Sequence, residues 1–517
     1  MNWKVACLGI MCLCALESTA QSLFIPLEQS YNQNLDRKLN QASETHSTLV
    51  KPLVSGQWTD TLSKYDEGRW QRKQRSKWLG RKLKNENLIV VDTGDFYLTI
   101  DPLMNFQYGQ DLAEIKNNDY STNTRGFLVQ GAIGKQFSFY SSFYENQSFF
   151  PTYLSDEINA TGVVPGQGRF KEFQTTGFDY AMASGAFSFR PWKMVEFQFG
   201  HGKSFVGEGY RSLLQSDVSF NYPYFRTHLS FLDNKLHYYI QYASLQELER
   251  IPATTSSEAQ FIREAGTFHT LSYVPIPQLE VALFEGTVWQ NWDSTGTQRL
   301  PWNYYVPVIG FNSAYQGWAT ENSKTVFGIN LKVNPVKNWV AYGQLAMDEY
   351  LGTNWSWQAG IKGYDLFGLK DLNMRVEYNQ IAANMYGHAN SRNSYGHYNQ
   401  ALAHPSGNNL TELIGQVNYS FRDFFVQAKV NWINKLDRDV AVPLENAASP
   451  NLSLIVVSDQ ELIYQEYAVG YLINPKTNMR LKVGYLGRVL DDVRGANETD
   501  WVYISFETAL QNIYYDF

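Results

Sequence analysis

The sequence is short of cysteine, of charge and of long apolar runs. Its three cysteines, Cys7, Cys12 and Cys14, all fall within the first fourteen of 517 residues. Nothing later in the chain offers a disulfide framework, a Cys-ligated zinc site or a thiol nucleophile. Only the N-terminus carries a long uninterrupted apolar run, and mean hydropathy is −0.36, which excludes a polytopic helical membrane protein. Charged residues make up 18% of the chain, with a formal net charge of −7. Disorder is excluded from the other side: disordered chains hold few aromatics, and this one is 15% aromatic, from 34 Tyr, 31 Phe and 14 Trp. Low charge with many aromatics describes a large sheet with one wet face and one greasy face. Catalytic signatures are missing too, with no Walker loop, no HExxH and no Gly-x-Ser-x-Gly elbow. The reading is a non-enzymatic protein without cofactor or metal.

The one apolar run has the form of an export signal. Lys4 supplies the positive start, Val5 to Leu16 the apolar core, and Ser18-Thr19-Ala20 the small residues before a cut. Cleavage after Ala20 removes every thiol, which suits passage through an oxidising periplasm. Nucleic acid is not an expected partner of an exported chain. Residues 21–92 are set apart as an N-terminal periplasmic segment, helical and basic. Leu27 to Ala42 suits a polar helix. Residues 69–84 hold Arg69, Arg72, Lys73, Arg75, Lys77, Arg81, Lys82 and Lys84 and no acid, interleaved with Trp70, Trp78, Leu79 and Leu83. Such a run is either a solvated helix with a small apolar stripe or an arm for anionic head groups, cell-wall polymer or an acidic partner.

From about Asp95 the apolar period is two. Phe225, Leu229 and Phe231 alternate with Tyr224, Arg226, His228 and Ser230; a tight turn follows, and Leu236, Tyr238, Ile240 and Tyr242 alternate with His237, Tyr239 and Gln241. Alternation sends the two sets to opposite faces. Many runs reach about ten to twelve residues, the length of a tilted transmembrane strand. The set opposite the greasy one carries Arg, Lys, Gln, Asn and His, as a barrel lumen allows. Short turns alternate with long loops, the outer-membrane arrangement. The expected fold is all-β, a transmembrane antiparallel barrel of about eighteen strands over residues 93–517, in the outer membrane and in contact with its lipid. The last strand is expected to run to Phe517, through a bulge near 508–512 where the apolar parity slips.

Two loops attract attention for binding. The loop 290–322 and its approach hold Trp289, Trp292, Trp302, Tyr304, Tyr305 and Trp318. Exposed aromatics stack on sugar rings or anchor protein contacts; a self-packed plug uses the same residues. The loop Tyr386–Asn409 holds His388, His397 and His404 at spacings that fit no metal template. It reads as an ordered polar loop in the barrel mouth or as a sugar site. Candidate glycan-contacting residues are Trp302, Tyr304, Tyr305, Trp318, Tyr395, His397 and His404.

Three stretches carry a family resemblance. Gly202-Lys203-Ser204-Phe205-Val206-Gly207-Glu208-Gly209-Tyr210-Arg211-Ser212-Leu213-Leu214-Gln215-Ser216-Asp217, running on to Asn221-Tyr222-Pro223-Tyr224, resembles the Gly-x-Gly-Tyr-x-Ser-Leu-Leu-x-Ser motif of capsule-assembly proteins of the Wzi type. Tyr395-Gly396-His397-Tyr398-Asn399-Gln400-Ala401-Leu402-Ala403-His404-Pro405-Ser406-Gly407 resembles the same family's His-Pro-x-Gly loop. The ending Asn512-Ile513-Tyr514-Tyr515-Asp516-Phe517 is similar to the Tyr-Asp-Phe ending of RemB-like gliding-motility proteins of Bacteroidota. The resemblance implies an outer-membrane barrel that faces surface polysaccharide, in capsule assembly or attachment, or the gliding or secretion machinery. A diffusion channel is the alternative. Gly207, Gly209, Tyr210, Ser212, Ser216 and Asp217 are the motif positions, and a purely loop-folding role also accounts for them.

Overall fold

A computed structural model of the chain describes residues 23–41, 44–55, 73–114, 119–251, 260–293, 296–348, 354–388, 393–443 and 453–517. The export signal and the start of the basic run, Arg69 to Arg72, lie outside the described residues.

Eighteen antiparallel strands close into one barrel. They are β1 (Phe96–Asp111), β2 (Asp119–Ile133), β3 (Phe137–Phe149), β4 (Gly177–Trp192), β5 (Val195–Gly202), β6 (Tyr222–Phe231), β7 (Leu236–Ile251), β8 (Gln260–Ile276) and β9 (Leu279–Gln290). They continue as β10 (Ser323–Val336), β11 (Trp339–Asp348), β12 (Asn354–Tyr364), β13 (Leu372–Ile381), β14 (Leu410–Phe421), β15 (Phe424–Pro443), β16 (Ser453–Asn474), β17 (Met479–Asp492) and β18 (Gly495–Glu507). Neighbours in sequence pair in order, and β18 closes on β1 through Trp501↔Asp111 to Glu507↔Asn105. Most tight turns gather at one end and the long loops at the other, where β17 and β18 are nonetheless joined by residues 493–494 alone.

The alternation read from the sequence is the in-out pattern of the wall. On β6, Arg226, His228 and Ser230 are buried toward the lumen while Phe225 and Phe231 are exposed outside. Phe199, Val281, Leu331, Val376, Val426 and Ile504 join an apolar exterior. That band faces a bilayer, because exposed apolar surface on this scale is not tolerated in water.

The lumen is filled by the chain itself. The described parts of the N-terminal segment, which the sequence set apart as periplasmic, divide between two places. Residues 23–41 and 44–55 run inside the barrel: α1 (Gln29–Asn40) sits against lumen-facing side chains, and Val50–Lys51 pairs antiparallel with Phe205–Val206 of the 203–221 loop. Glu28 caps α1, accepting the Tyr31 N–H. Residues 73–92 lie at the turn end. There α2 (Trp78–Lys84) is fixed by Asn474, whose amide donates to the carbonyls of Lys82 and Glu86 at 3.0 and 2.9 Å. Ile89–Asp92 then pairs with the turn-end half of β1, from Ile89↔Ile100 to Asp92↔Tyr97. That short strand takes the part of the β1 edge that β18 leaves open.

The chain terminus departs from the expected strand. β18 ends at Glu507, and residues 508–517 turn into the lumen instead of bulging and continuing to Phe517. Thr508 makes the turn: its N–H donates to Met104 O and its hydroxyl to Pro102 O, each at 2.7 Å. The parity slip seen in the sequence marks the point where the chain leaves the wall.

Candidate functional site

The 203–221 loop is the hub of the lumen, and its motif residues are there for close packing. Gly207 has φ +135°, a region closed to most side chains, and at Gly209 a Cβ would sit 2.6 Å from both Arg211 O and Glu377 Oε2. With the backbone that near the wall, the N–H groups of Tyr210 and Arg211 donate to the two oxygens of Glu377 at 2.7 and 3.0 Å. Ser212 Oγ donates to Val206 O and accepts from Leu214 and Gln215 N–H, an ST-type turn that ties the loop to itself. Leu213 and Leu214 fill the main apolar cluster with Tyr395 and Phe284. Ser216 is held through its N–H, which reaches Leu402 O at 2.8 Å.

Two buried charge clusters fasten this hub. Glu208 accepts from Thr48 Oγ1 at 2.5 Å and Lys362 Nζ at 2.7 Å, with Lys332 Nζ at 3.6 Å. Burial alone would raise its carboxyl, but Lys332, Lys362 and Lys51 together hold it well below the usual carboxylate range. Arg211 meets Glu412 at 3.0 Å and Asp516 at 3.1 Å, all three side chains fully buried. Asp516 also accepts from Tyr210 Oη at 2.8 Å and lies 3.2 Å from Lys429 Nζ. Burial pushes its carboxyl up, and Arg211 and Lys429 more than reverse this. Asp217 accepts from Tyr514 Oη at 2.9 Å and from Asn512 Nδ2 at 2.8 Å. The Gly-x-Gly-Tyr motif and the Tyr-Asp-Phe ending, read separately in the sequence, are thus two halves of one junction.

The second family stretch packs on the first. Tyr395 is buried and donates its hydroxyl to Leu214 O at 2.8 Å. His397 Nδ1 accepts the Gln246 N–H at 3.0 Å, so Nε2 carries the proton toward Asn221 O at 3.2 Å. Burial lowers its pKa to about 4, which keeps the ring neutral. His404 Nδ1 accepts the Ser406 N–H, and Nε2 donates to Glu412 at 2.7 Å. His388 turns elsewhere, to Thr320 O. The histidines are spent on separate partners.

The aromatic loop lies in a different place. Residues 300–318 fold down over the outside of the wall, not across the mouth. Tyr304 is buried between Trp289 and Tyr242, and Trp318 packs on Phe327, all outward positions of β7, β9 and β10. Trp302 and Tyr305 are 58% and 62% exposed. The seven candidate residues therefore split into four on the outer wall and three inside the plug, and do not form one surface. Aromatic richness alone cannot tell these placements apart.

What remains open at the loop end is a cavity of about 590 Å³. One wall is α3 (Thr152–Thr161), a short helix anchored by Leu154 and Ile158, one turn apart, on Phe150 and Phe178. Asp156 and Glu157 of α3 face Lys435, Gln460, Arg494 and Asn497 across it. Tyr153, Arg488 and Phe517 form its floor. Arg488 lies over the Tyr153 ring at 4.3 Å and donates through Nε and Nη2 to Phe517 O, but its buried Nη1 has no partner. Ser406 Oγ, in the same lining, is also buried and unpartnered. Carboxylates, amides and cations around one cavity suit a hydroxyl-rich ligand. Sequence reading missed this cavity; its faint signal was Arg488, a charge at an inward parity position near the loop end of β17.

No protein-family model matches the chain, and no curated protein sequence matches it. Among solved structures it is similar to Wzi of Escherichia coli, described as an outer-membrane protein involved in group 1 capsule assembly and a carbohydrate-binding β-barrel. Identity is 13%, covering 93% of this chain and 98% of that one, with a TM-score of 0.56. It is more distantly similar to a BenF-like porin of Pseudomonas fluorescens Pf-5, with 11% identity, 80% and 97% coverage and a TM-score of 0.42. OpdK of Pseudomonas aeruginosa with vanillate gives 10%, 79% and 98%, and 0.43. By strand number, closure and apolar exterior, this chain has the fold of an eighteen-strand outer-membrane barrel.

Proposed function

We propose that the protein is a non-enzymatic outer-membrane barrel that holds a polysaccharide at its loop end, in capsule attachment or in the surface spreading that the RemB-like ending suggests. The observation that carries this is the pairing of a filled lumen with an outward-opening cavity of about 590 Å³ lined by carboxylates, amides and cations. A pore leaves its lumen free; a binding barrel spends it on a rigid floor. Capsule assembly and carbohydrate binding, named for the similar Escherichia coli barrel, point the same way. Purified protein is expected to bind surface glycan from its own strain. Asn497→Trp, which fills the cavity, and Arg488→Gln, which alters its floor, should each weaken binding by tenfold or more, about 1.4 kcal/mol or above. Binding unchanged in both variants, or none by the parent protein, rejects the reading.

A further inference from the structure

The loop over the outer wall is free of charge and sits on buried polar positions of the strands beneath it. From Leu300 to Trp318 it carries no Asp, Glu, Lys or Arg, in a chain that is 18% charged. Beneath it, outward positions that should be apolar are polar: Thr267 and His269 on β8, Glu285 and Thr287 on β9, and Thr325 on β10, all buried. The loop supplies partners for this polar patch and its neighbours. Glu285 accepts the Gly310 N–H at 2.7 Å and the Ser313 N–H and hydroxyl at 3.1 and 2.6 Å. Tyr238 Oη donates to Pro307 O and accepts the Ile309 N–H, and Tyr242 Oη donates to Tyr305 O. The loop's own amides turn inward as well, Asn303 bonding Asn312 and Gln316. What faces outward is Trp302, Tyr305, Val308 and Tyr315, between 52% and 62% exposed.

We propose that residues 300–318 form a flap seated in the bilayer, with Trp302, Tyr305, Val308 and Tyr315 against lipid acyl chains. Three observations commit this face to lipid. The flap reaches from Trp289 and Ser323 at the loop end down to Tyr238, near the start of β7, so it overlies most of the height of the wall at β7 to β10. Its outer face continues the apolar band of Val281, Leu283 and Leu331 on the strands it covers. The polar side chains of the flap are kept off its outer face: Asn303 and Asn312 are buried, Asn303 donates to Asn312 Oδ1 and Gln316 Oε1, and Ser313 and Gln316 donate to Glu285 and Ser323 on the wall. The flap is not a lateral gate, since the β8–β9 and β9–β10 ladders run unbroken beneath it from Glu264↔Gln290 to Tyr273↔Val281 and from Leu279↔Val333 to Trp289↔Ser323.

Produced from residue 21 onward the chain has no cysteine, so single labels are clean. A fluorophore is placed at Tyr315→Cys, with Val281→Cys as a wall control and Arg494→Cys as a loop-end control, in phosphatidylcholine vesicles. Doxyl-labelled lipid should quench the Tyr315 label as strongly as the Val281 label, and aqueous iodide should leave it bright while quenching the Arg494 label. Iodide quenching at the Arg494 level overturns the proposal. So does self-quenching that replaces lipid quenching as the protein-to-lipid ratio rises, which assigns the face to a second copy. Should Tyr315→Cys fail to fold, Tyr305→Cys reads the same face with the same outcomes.

Discussion

Arg211→Met is expected to destabilise the folded barrel by about 3–5 kcal/mol, the usual cost of removing one partner from a buried ion pair. Denaturant unfolding of the vesicle-inserted protein, followed by tryptophan emission, measures it. Arg211 is fully buried and serves Glu412 and Asp516 at once, so methionine leaves two carboxylates without their shared counter-ion. Most of the loss is thus the cost of the orphaned acids, not the worth of the pair. Accordingly Arg211→Met with Glu412→Gln should recover part of it. The pH dependence has a definite sign. Asp516 is depressed in the folded state, so its contribution is fully present above the unfolded carboxylate value of about 3.9 and is lost as pH falls through the lower folded value. In the variant the main counter-charge is gone. The gap between parent and variant should therefore narrow in acid; a gap that widens would reject this account.

Deleting residues 513–517 is expected to turn a silent barrel into a conducting one, with ion flux in planar bilayers rising by at least about an order of magnitude toward that of open sixteen- to eighteen-strand barrels. The geometry is that of a septum. A second cavity, of about 330 Å³, lies beside α1 and extends to Asn373 and Asn418 near the turn end. Tyr515 lines that inner cavity, Phe517 the outer one, and Tyr153 both. The inner walls are polar, with Arg375, Lys429, Arg480 and Lys482 set among Gln416, Gln427 and Glu466, so water and ions can follow once the partition is gone. Removing the tail joins the two cavities through the gap its aromatics fill. Tyr153→Ala with Phe517→Ala, which keeps the Asp516 junction, should open a narrower path. If both variants stay silent, the septum lies elsewhere in the plug.

The wall was legible in the sequence because its period is two: Arg226 and His228 had to face away from Phe225 and Phe231, and they do. The lumen was harder to read, for a physical reason. Gly207, Gly209 and Tyr210 announce a special loop, but nothing local says that Glu208 meets Lys362 or that Arg211 meets Glu412 and Asp516, partners 154, 201 and 305 positions away. The parity slip near 508–512 was visible, yet a bulge and a departure from the wall look alike in one strand's pattern. Trp302, Tyr304 and Tyr305 were ambiguous for a similar reason, since aromatic side chains suit sugar, protein and lipid surfaces equally. The better signal was the missing charge across 300–318 together with Glu285 at an outward position.

The two ends of the described chain meet inside the lumen. The Gln29 N–H donates to Asn512 Oδ1 at 2.9 Å, and Asn512 Nδ2 donates to Leu27 O at 2.7 Å, across 483 and 485 positions. Closing a loop costs more entropy the longer it is, and contacts of long sequence separation are made late. This clasp is therefore expected among the last contacts to form, after the strands between have been laid down. A barrel lacking either segment would have its wall and not its lock, so the plug is the last part of this fold to be secured.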